Sequence, residues 1–179
     1  MRIGICGTSC SGKSTLAKAL AEKLKSPIIR ETAEYYKEHR SSLSTQYRIA
    51  ETQRNMEKLY SSFVSDRTVF DNLAYAIYWY NKQYEPSMHD WEQLGEIWKR
   101  TFEHNKLHPY DLIVFIDEYF PLEDDGNRSM DAFEQEQIYI LIKNFMLSLD
   151  VNCIFITGPT EKRIEEIELY IKTNGEKFV

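Results

Sequence analysis

The stretch that decides the fold is Gly7-Thr8-Ser9-Cys10-Ser11-Gly12-Lys13-Ser14-Thr15. It has the form G-x-x-x-x-G-K-[ST] and stands between a short apolar run, Ile3-Gly4-Ile5-Cys6, and a helix-forming run from Leu16 to Leu24. Strand, glycine loop and helix in that order are an arrangement built for phosphate. Gly7 and Gly12 let the backbone wrap so that successive N–H groups converge on phosphate oxygens, and the helix that follows turns its positive end toward the same charge. Lys13 adds a point charge for the β- and γ-phosphates, while the Ser14 hydroxyl is placed to bind Mg²⁺. The nine residues are therefore expected to bind nucleotide, with ATP and Mg²⁺ as cofactors.

Working outward, short apolar runs alternate with longer segments of helical period, the pattern of an α/β protein with a mostly parallel sheet. Five runs are predicted as strands: Ile3 to Cys6, Pro27 to Arg30, Ser62 to Asp66, Asp111 to Asp117 and Asn152 to Thr157. Between them, Trp91, Leu94, Trp98 and Phe102 recur at three- and four-residue steps, as do Phe133, Ile138, Leu141, Ile142 and Phe145. Each set is expected to face the core from one helix. Asp131 with Glu134 three residues on has the form of a capping box for the second of these helices. Residues 118–130, with Pro121, Gly126 and four acids, read as a mobile surface loop inside one domain of residues 1–179.

Composition narrows the function classes. The chain carries 28 acidic and 22 basic side chains, a net charge of −6 with histidine neutral. A long phosphate polymer is repelled by that balance, because nucleic-acid binders gain affinity from clustered Lys and Arg. The start, Met1-Arg2-Ile3-Gly4, reaches glycine and polar residues too early for a signal peptide, and no apolar run nears the roughly 18 residues that span a bilayer. The chain is expected to be soluble and cytoplasmic, without a membrane partner. Cys6, Cys10 and Cys153 form no paired framework and are expected to be reduced thiols, and His39, His89, His104 and His108 show no zinc-site spacing.

Two strand ends compete to supply a carboxylate for Mg²⁺. One is Phe63-Val64-Ser65-Asp66-Arg67-Thr68 and the other Leu112-Ile113-Val114-Phe115-Ile116-Asp117-Glu118. A small-molecule kinase would use Asp66 for the metal and Arg67 for phosphate charge. A motor- or switch-type ATPase would instead use Asp117 for the metal and Glu118 to orient a water.

The phosphate loop, Ile28-Ile29-Arg30-Glu31, Asp66-Arg67-Thr68 followed by Asn72-Leu73-Ala74-Tyr75, and Pro121-Leu122-Glu123-Asp124-Asp125-Gly126-Asn127-Arg128 together resemble the NadR-type P-loop ATPase/kinase domain. More distantly the chain is similar to deoxynucleoside and thymidylate kinases. The resemblance implies a five-stranded parallel sheet flanked by helices, with the phosphate loop on a central strand. It also implies an acceptor-binding carboxylate at the end of the second strand, Glu31, and a lid at about residues 118–130 with Arg128 at the transferred phosphate. Gly158 followed by Arg163 matches the place where such domains close over the adenine and phosphates. The chain departs from the pattern in having a lid with one arginine among four acids. The guanine-reading form N-K-x-D is also absent, since Asn81-Lys82 is followed by Gln83-Tyr84.

The expected activity is transfer of the γ-phosphate of MgATP to a small nucleoside or nucleotide-like acceptor, such as ribosylnicotinamide, a deoxynucleoside or a deoxynucleotide. Lys13, Arg67 and Arg128 would neutralise the transferring group. Glu31 would take the proton of an acceptor hydroxyl, with Glu34 as second choice, whereas a monophosphate acceptor would be held by Arg30 or Arg48. The alternatives are an ATP-hydrolysing or ATP-binding regulatory module acting on a protein partner, for which Tyr78-Trp79-Tyr80 offers a docking face, and a kinase of hydroxyls on nucleic acid. Assembly as a homodimer is compatible with the kinase reading.

Overall fold

A computed structural model describes residues 1–36, 41–122 and 131–174 of the chain. Strands β1 (Arg2–Cys6), β2 (Ile28–Ile29), β3 (Phe63–Asp66), β4 (Leu112–Ile116) and β5 (Cys153–Ile156) form one sheet in the order β2-β3-β1-β4-β5. Every pairing is parallel, with Ile5 opposite Asp66 on one side of β1 and opposite Val114 on the other. Each predicted strand is present, although β2, an edge strand paired only with β3, is cut to two residues.

Alternation along the strands sorts the core into two faces. Ile3, Ile5, Leu112, Val114 and Ile116 pack with Leu16 and Leu20 of α1 (Lys13–Leu24) and Ile167 of α6 (Thr160–Asn174). On the opposite face, Cys6, Phe63, Ile113 and Phe115 meet Phe70 and Ala74 of α3 (Val69–Asn81) and Ile138 and Ile142 of α5 (Ala132–Ser148). Helices α2 (Leu43–Lys58) and α4 (Met88–Leu107) pack outside α3 through Leu43, Ala50, Leu73, Ala76 and Ile97. Gly4 lets this layer come close: a Cβ there would lie 2.5 Å from the Thr68 methyl and 3.1 Å from the Tyr110 ring. From β1 the chain first builds one side of the sheet, β2 and β3, and then crosses to the other at β4. The carboxyl end of β1 is thus where open parallel sheets bind ligands.

The predicted stripes hold in part: Ile138 and Ile142 are buried and Leu94, Phe102, Leu141 and Phe145 pack against the core, but the other aromatics do not follow. Trp91 and Trp98 are 60% and 46% exposed, and Phe133 is 58% exposed. Helix α4 buries Ile97, Thr101 and His104 instead, a stripe turned by about one residue from the predicted one. The reason is polar: α4 aims His104 at a buried carboxylate, and the large aromatics are rotated to the rim. There Trp98 lies against Phe102 and Phe145, with ring centroids 5.3 and 6.1 Å away. Tyr78 is likewise buried and no docking surface. Asp131 caps α5 as expected, its carboxylate accepting from the Phe133 and Glu134 amides. Among the described residues no helix is long and apolar enough to cross a membrane.

That buried carboxylate is Glu57. It accepts from Gln53 Nε2 at 2.8 Å and from the Tyr110 hydroxyl, and it pairs with His104 Nε2 at 2.8 Å, with no exposed surface of its own. Gln53 Nε2 reaches on to Ser65 Oγ of β3 at 2.8 Å, and Tyr110 accepts from the Val69 amide at the start of α3 at 3.0 Å. One carboxylate therefore joins α2, α3, α4 and β3. Glu57→Leu should lower the unfolding free energy by about 3–5 kcal/mol, the usual result of breaking a buried polar cluster on one side. Urea unfolding checks this, and a loss below about 1 kcal/mol would show that the cluster does not hold these elements together.

Candidate active site

The phosphate loop leaves β1 at Gly7 and enters α1 at Lys13. Its backbone turns through three positive φ angles, 144° at Gly7, 55° at Cys10 and 85° at Gly12. Glycine is required twice over at position 12, where a Cβ would also stand 3.0 Å from the Arg163 guanidinium. The loop carbonyls are turned back into the protein. Thr8 O accepts from Ser11 Oγ at 2.9 Å, Ser9 O from Gln135 Nε2 at 2.9 Å, Cys10 O from the Phe120 amide at 3.0 Å and Ser11 O from Arg163 Nη1 at 2.9 Å. Thr8 Oγ1 donates to Gln135 O at 2.9 Å, and the Ser9 hydroxyl meets Tyr75 OH at 3.2 Å.

Lys13 lies against this loop, its ammonium donating to Thr8 O and standing 3.4 Å from Ser11 Oγ. Burial, reinforced by the Arg67 charge, lowers its pKa from 10.5 to about 8. A phosphate placed there would reverse the shift, because the oxygens would replace the water that the ammonium has lost.

The end of β3 supplies the opposing wall. Arg67 holds φ 95°, a conformation rarely adopted by a residue with a side chain, and the surroundings fix it from several sides. Its amide donates to Ile5 O at 3.0 Å, its Nε donates to Glu31 Oε1 at 2.7 Å, and its guanidinium lies 4.9 Å from the centre of the Tyr75 ring. Asp71, fully buried, accepts from the Gly7 amide at 3.2 Å on one oxygen and from the Thr68 amide at 2.8 Å on the other. Burial raises its pKa, against the opposing pull of Arg67 and Thr68. Asp71 thus caps α3 and pins the first amide of the loop in one contact set. Sequence reasoning passed over it, although Thr68-Val69-Phe70-Asp71 carries the capping-box spacing. Gln135 was also passed over, and a lone glutamine in a helix carries no comparable signal.

A cavity of about 350 Å³ is lined by Ser9, Cys10, Gly12, Lys13, Ser14 and Thr15 on the loop side and by Glu31, Arg67, Phe120 and Pro121 across from it. The structure therefore brings Glu31 and Arg67 to the phosphate loop. Asp66, at the end of β3, is buried, its Oδ1 without a hydrogen-bond partner. Its charge raises the proton affinity of both Lys13 and Arg67. Asp66 Oδ1 and the Ser14 hydroxyl are hard oxygen donors of the kind Mg²⁺ takes alongside phosphate oxygens. Among the described residues no cluster of three His, Cys, Asp or Glu could hold a metal unaided.

The rival pair is placed elsewhere. Asp117 Oδ1 accepts from the Tyr139 hydroxyl and from Lys143 Nζ at 2.7 Å, so the alternative metal ligand is committed to α5. Glu118 Oε1 accepts from Arg163 Nη2 at 2.6 Å and from the Gly158 amide, and those contacts hold its pKa below the usual range. Of Gly158 and Arg163, expected at the nucleotide itself, Arg163 holds the loop through the Ser11 carbonyl and is only 2% exposed, while the Gly158 amide is given to Glu118. Of the expected lid, residues 118–122 are described, and Phe120 and Pro121 line the cavity. Arg128 lies outside the described residues. Glu34, Arg30 and Arg48 are exposed and form no part of the cavity wall.

A sequence profile described as an AAA domain matches residues 2–163. The chain belongs to that AAA domain family. No curated protein matches it by sequence. Among solved structures this AAA domain is similar to deoxyadenosine kinase from M. mycoides with the products dCMP and a flexible dCDP bound. The TM-score is 0.69 at 16% identity, over 97% of this chain and 99% of that one. It is also similar to the YorR protein of Bacillus subtilis in complex with phosphorylated GDP, with a TM-score of 0.61 at 19% identity over 97% of both chains. Shikimate kinase from Aquifex aeolicus follows with a TM-score of 0.55 at 19% identity over 98% of both chains. At these identities the likeness is one of fold.

The Lys13 environment gives a signed pH dependence. Its folded pKa lies below the unfolded value, so the unfolded chain holds more protons between about pH 8 and 10.5, and the ligand-free AAA domain should gain stability as pH rises through that window. Below it the buried charge is a fixed cost, and Lys13→Met should melt higher than the parent at neutral pH while losing nucleotide binding. MgATP binding at about pH 9 should take up protons, read as a dependence of calorimetric enthalpy on the buffer's ionisation enthalpy. Equal enthalpies in all buffers at that pH would contradict the assignment.

Proposed function

We propose that this AAA domain is a kinase that transfers the γ-phosphate of MgATP to a nucleoside or nucleotide-like acceptor. The observation that carries this reading is the shared cavity wall, in which the Glu31–Arg67 pair, 2.7 Å apart, faces Lys13 and Ser14 across about 350 Å³. Asp117 and Glu118, the pair that a motor- or switch-type ATPase would use, do not line this cavity and are paired with Lys143 and Arg163. The fold of a deoxyadenosine kinase, matched over 97% of this chain, supports a nucleoside acceptor.

In this reading the loop amides and the Lys13 ammonium hold the β- and γ-phosphates. Arg67 adds charge on the acceptor side and, through Nε, orients the Glu31 carboxylate. Glu31 takes the proton of the acceptor hydroxyl as its oxygen bonds to the γ-phosphorus and the bond from phosphorus to the bridging oxygen breaks, leaving ADP. Asp66 and Ser14 would hold Mg²⁺, which when bound neutralises phosphate charge. Catalysis then rests on positioning and electrostatics, with no covalent intermediate required of the protein.

ADP release measured against a panel of nucleosides and nucleoside monophosphates tests the proposal, with Lys13→Ala as the inactive control. Turnover should rise with at least one nucleoside, and acceptor-independent turnover that no panel member accelerates would refute it. Glu31→Gln should bind MgATP as the parent does and lose about 10²–10⁴ in kcat. Full activity in that variant would remove Glu31 from the mechanism.

A further inference from the structure

A second cleft, sharing no residue with the first, lies between α2 and α4 and encloses about 430 Å³. Among its lining residues is Arg54, 5% exposed, with neither Nη1 nor Nη2 hydrogen-bonded. Buried guanidinium nitrogens are almost always paired, because leaving them dry and unpartnered costs free energy on the scale of a broken salt bridge. The nearby carboxylates do not meet this need. Glu96 and Glu51 are both taken by Arg100, at 2.6 and 3.6 Å.

The rest of the wall is balanced in charge, so that with histidine neutral Arg54 leaves the lining one positive charge in excess. Lys58, Lys99 and Arg100 join Arg54, against Glu51, Glu96 and Glu103, on a chain whose overall charge is −6. His104 and His108 close one end with ring centroids 5.2 Å apart, and burial together with His104, Arg2 and Lys58 lowers the His108 pKa. Leu107 is the one aliphatic residue in the lining, so the cleft offers little to a large apolar ligand.

We propose that this cleft is a second anion site, in which the Arg54 guanidinium grips a small phosphate-type oxyanion, flanked by Lys58 and Lys99. A planar fork with both terminal nitrogens unpartnered is the donor set that two oxygens of a phosphate satisfy at once. Free phosphate and the phosphate of a small polar monoester present the same oxygens. The site does not depend on the kinase reading, since none of its residues belongs to the phosphate loop or its opposing wall.

Titration of the full chain with inorganic phosphate, and separately with ribose 5-phosphate, at ionic strength held constant with chloride, tests the proposal. The Arg54 Nε–Hε signal, identified by its disappearance in Arg54→Met, should shift saturably with phosphate. The rise in melting temperature caused by phosphate should persist in Lys13→Ala, and the affinity read from it should fall about tenfold or more in Arg54→Met. A larger response to ribose 5-phosphate would identify the monoester as the ligand, and an equal one free phosphate. An unmoved Arg54 signal, or an equal phosphate response in Arg54→Met and the parent, would overturn the proposal. Arg54→Met should itself melt no lower than the parent without phosphate, since it removes an unpaired buried charge. Should it fail to fold, Lys58→Glu with Lys99→Glu, both exposed, reads the same site, and an undiminished phosphate response there would overturn it too.

Discussion

A loop that offers its N–H groups to a ligand has to dispose of its carbonyls elsewhere, and this constraint organises the structure around residues 8–12. Only Gly12, at the start of α1, can give its carbonyl to a helical turn, and those of residues 8–11 have neither strand partner nor helix. The protein supplies a separate donor for each. Ser11, Gln135, the Phe120 amide, Arg163 and the Leu16 amide serve Thr8, Ser9, Cys10, Ser11 and Gly12 in turn. Those donors come from the loop itself, α5, the segment after β4, α6 and α1, while α3 holds the first amide through Asp71. The layered architecture is thereby the means by which a few residues with left-handed backbone are kept open toward a phosphate.

The electrostatics follow from the same arrangement. A buried lysine beside a buried arginine is unfavourable unless carboxylates stand close, and Asp66, Asp71 and Glu31 all act on both Lys13 and Arg67. The cluster is arranged to receive negative charge, with the carboxylates behind and beside the cations and the cavity in front of them. Net charge over the whole chain says nothing about this local geometry. A surface with more acids than bases still encloses two concavities edged with cations, at Lys13 and at Arg54.

Much of the fold was legible because it rests on local periodicity. Four of the five strands alternate or run apolar over four or five residues, Gly7 and Gly12 mark the loop, and Asp131 marks where α5 begins. Glu31 and Arg67 were legible through a family resemblance joined to their positions at strand ends. The orientation of α4 was not, because its buried face is chosen by a carboxylate 47 residues away in sequence, Glu57, and not by the pattern of its own aromatics. Of the supports of the loop, Gln135 carries no signal in the sequence, and Arg163 was expected at the nucleotide and not at a loop carbonyl. Gln135 and Arg163 are ordinary helix residues until tertiary structure brings them to the carbonyls of Ser9 and Ser11. Asp117-Glu118, which resembles a catalytic pair in one dimension, is spent in three on holding α5 and Arg163.

The contact between Arg163 and Ser11 spans 152 residues of chain. The brace of the phosphate loop therefore comes from α6, an element that follows all five strands in the chain. Without α6 the Ser11 carbonyl loses this donor, and the left-handed backbone at Cys10 and Gly12 loses one of its constraints. Long-range closure of this kind is slow and comes late in assembly. A complete sheet is therefore not enough to hold the loop open toward a phosphate, and α6 is needed as well.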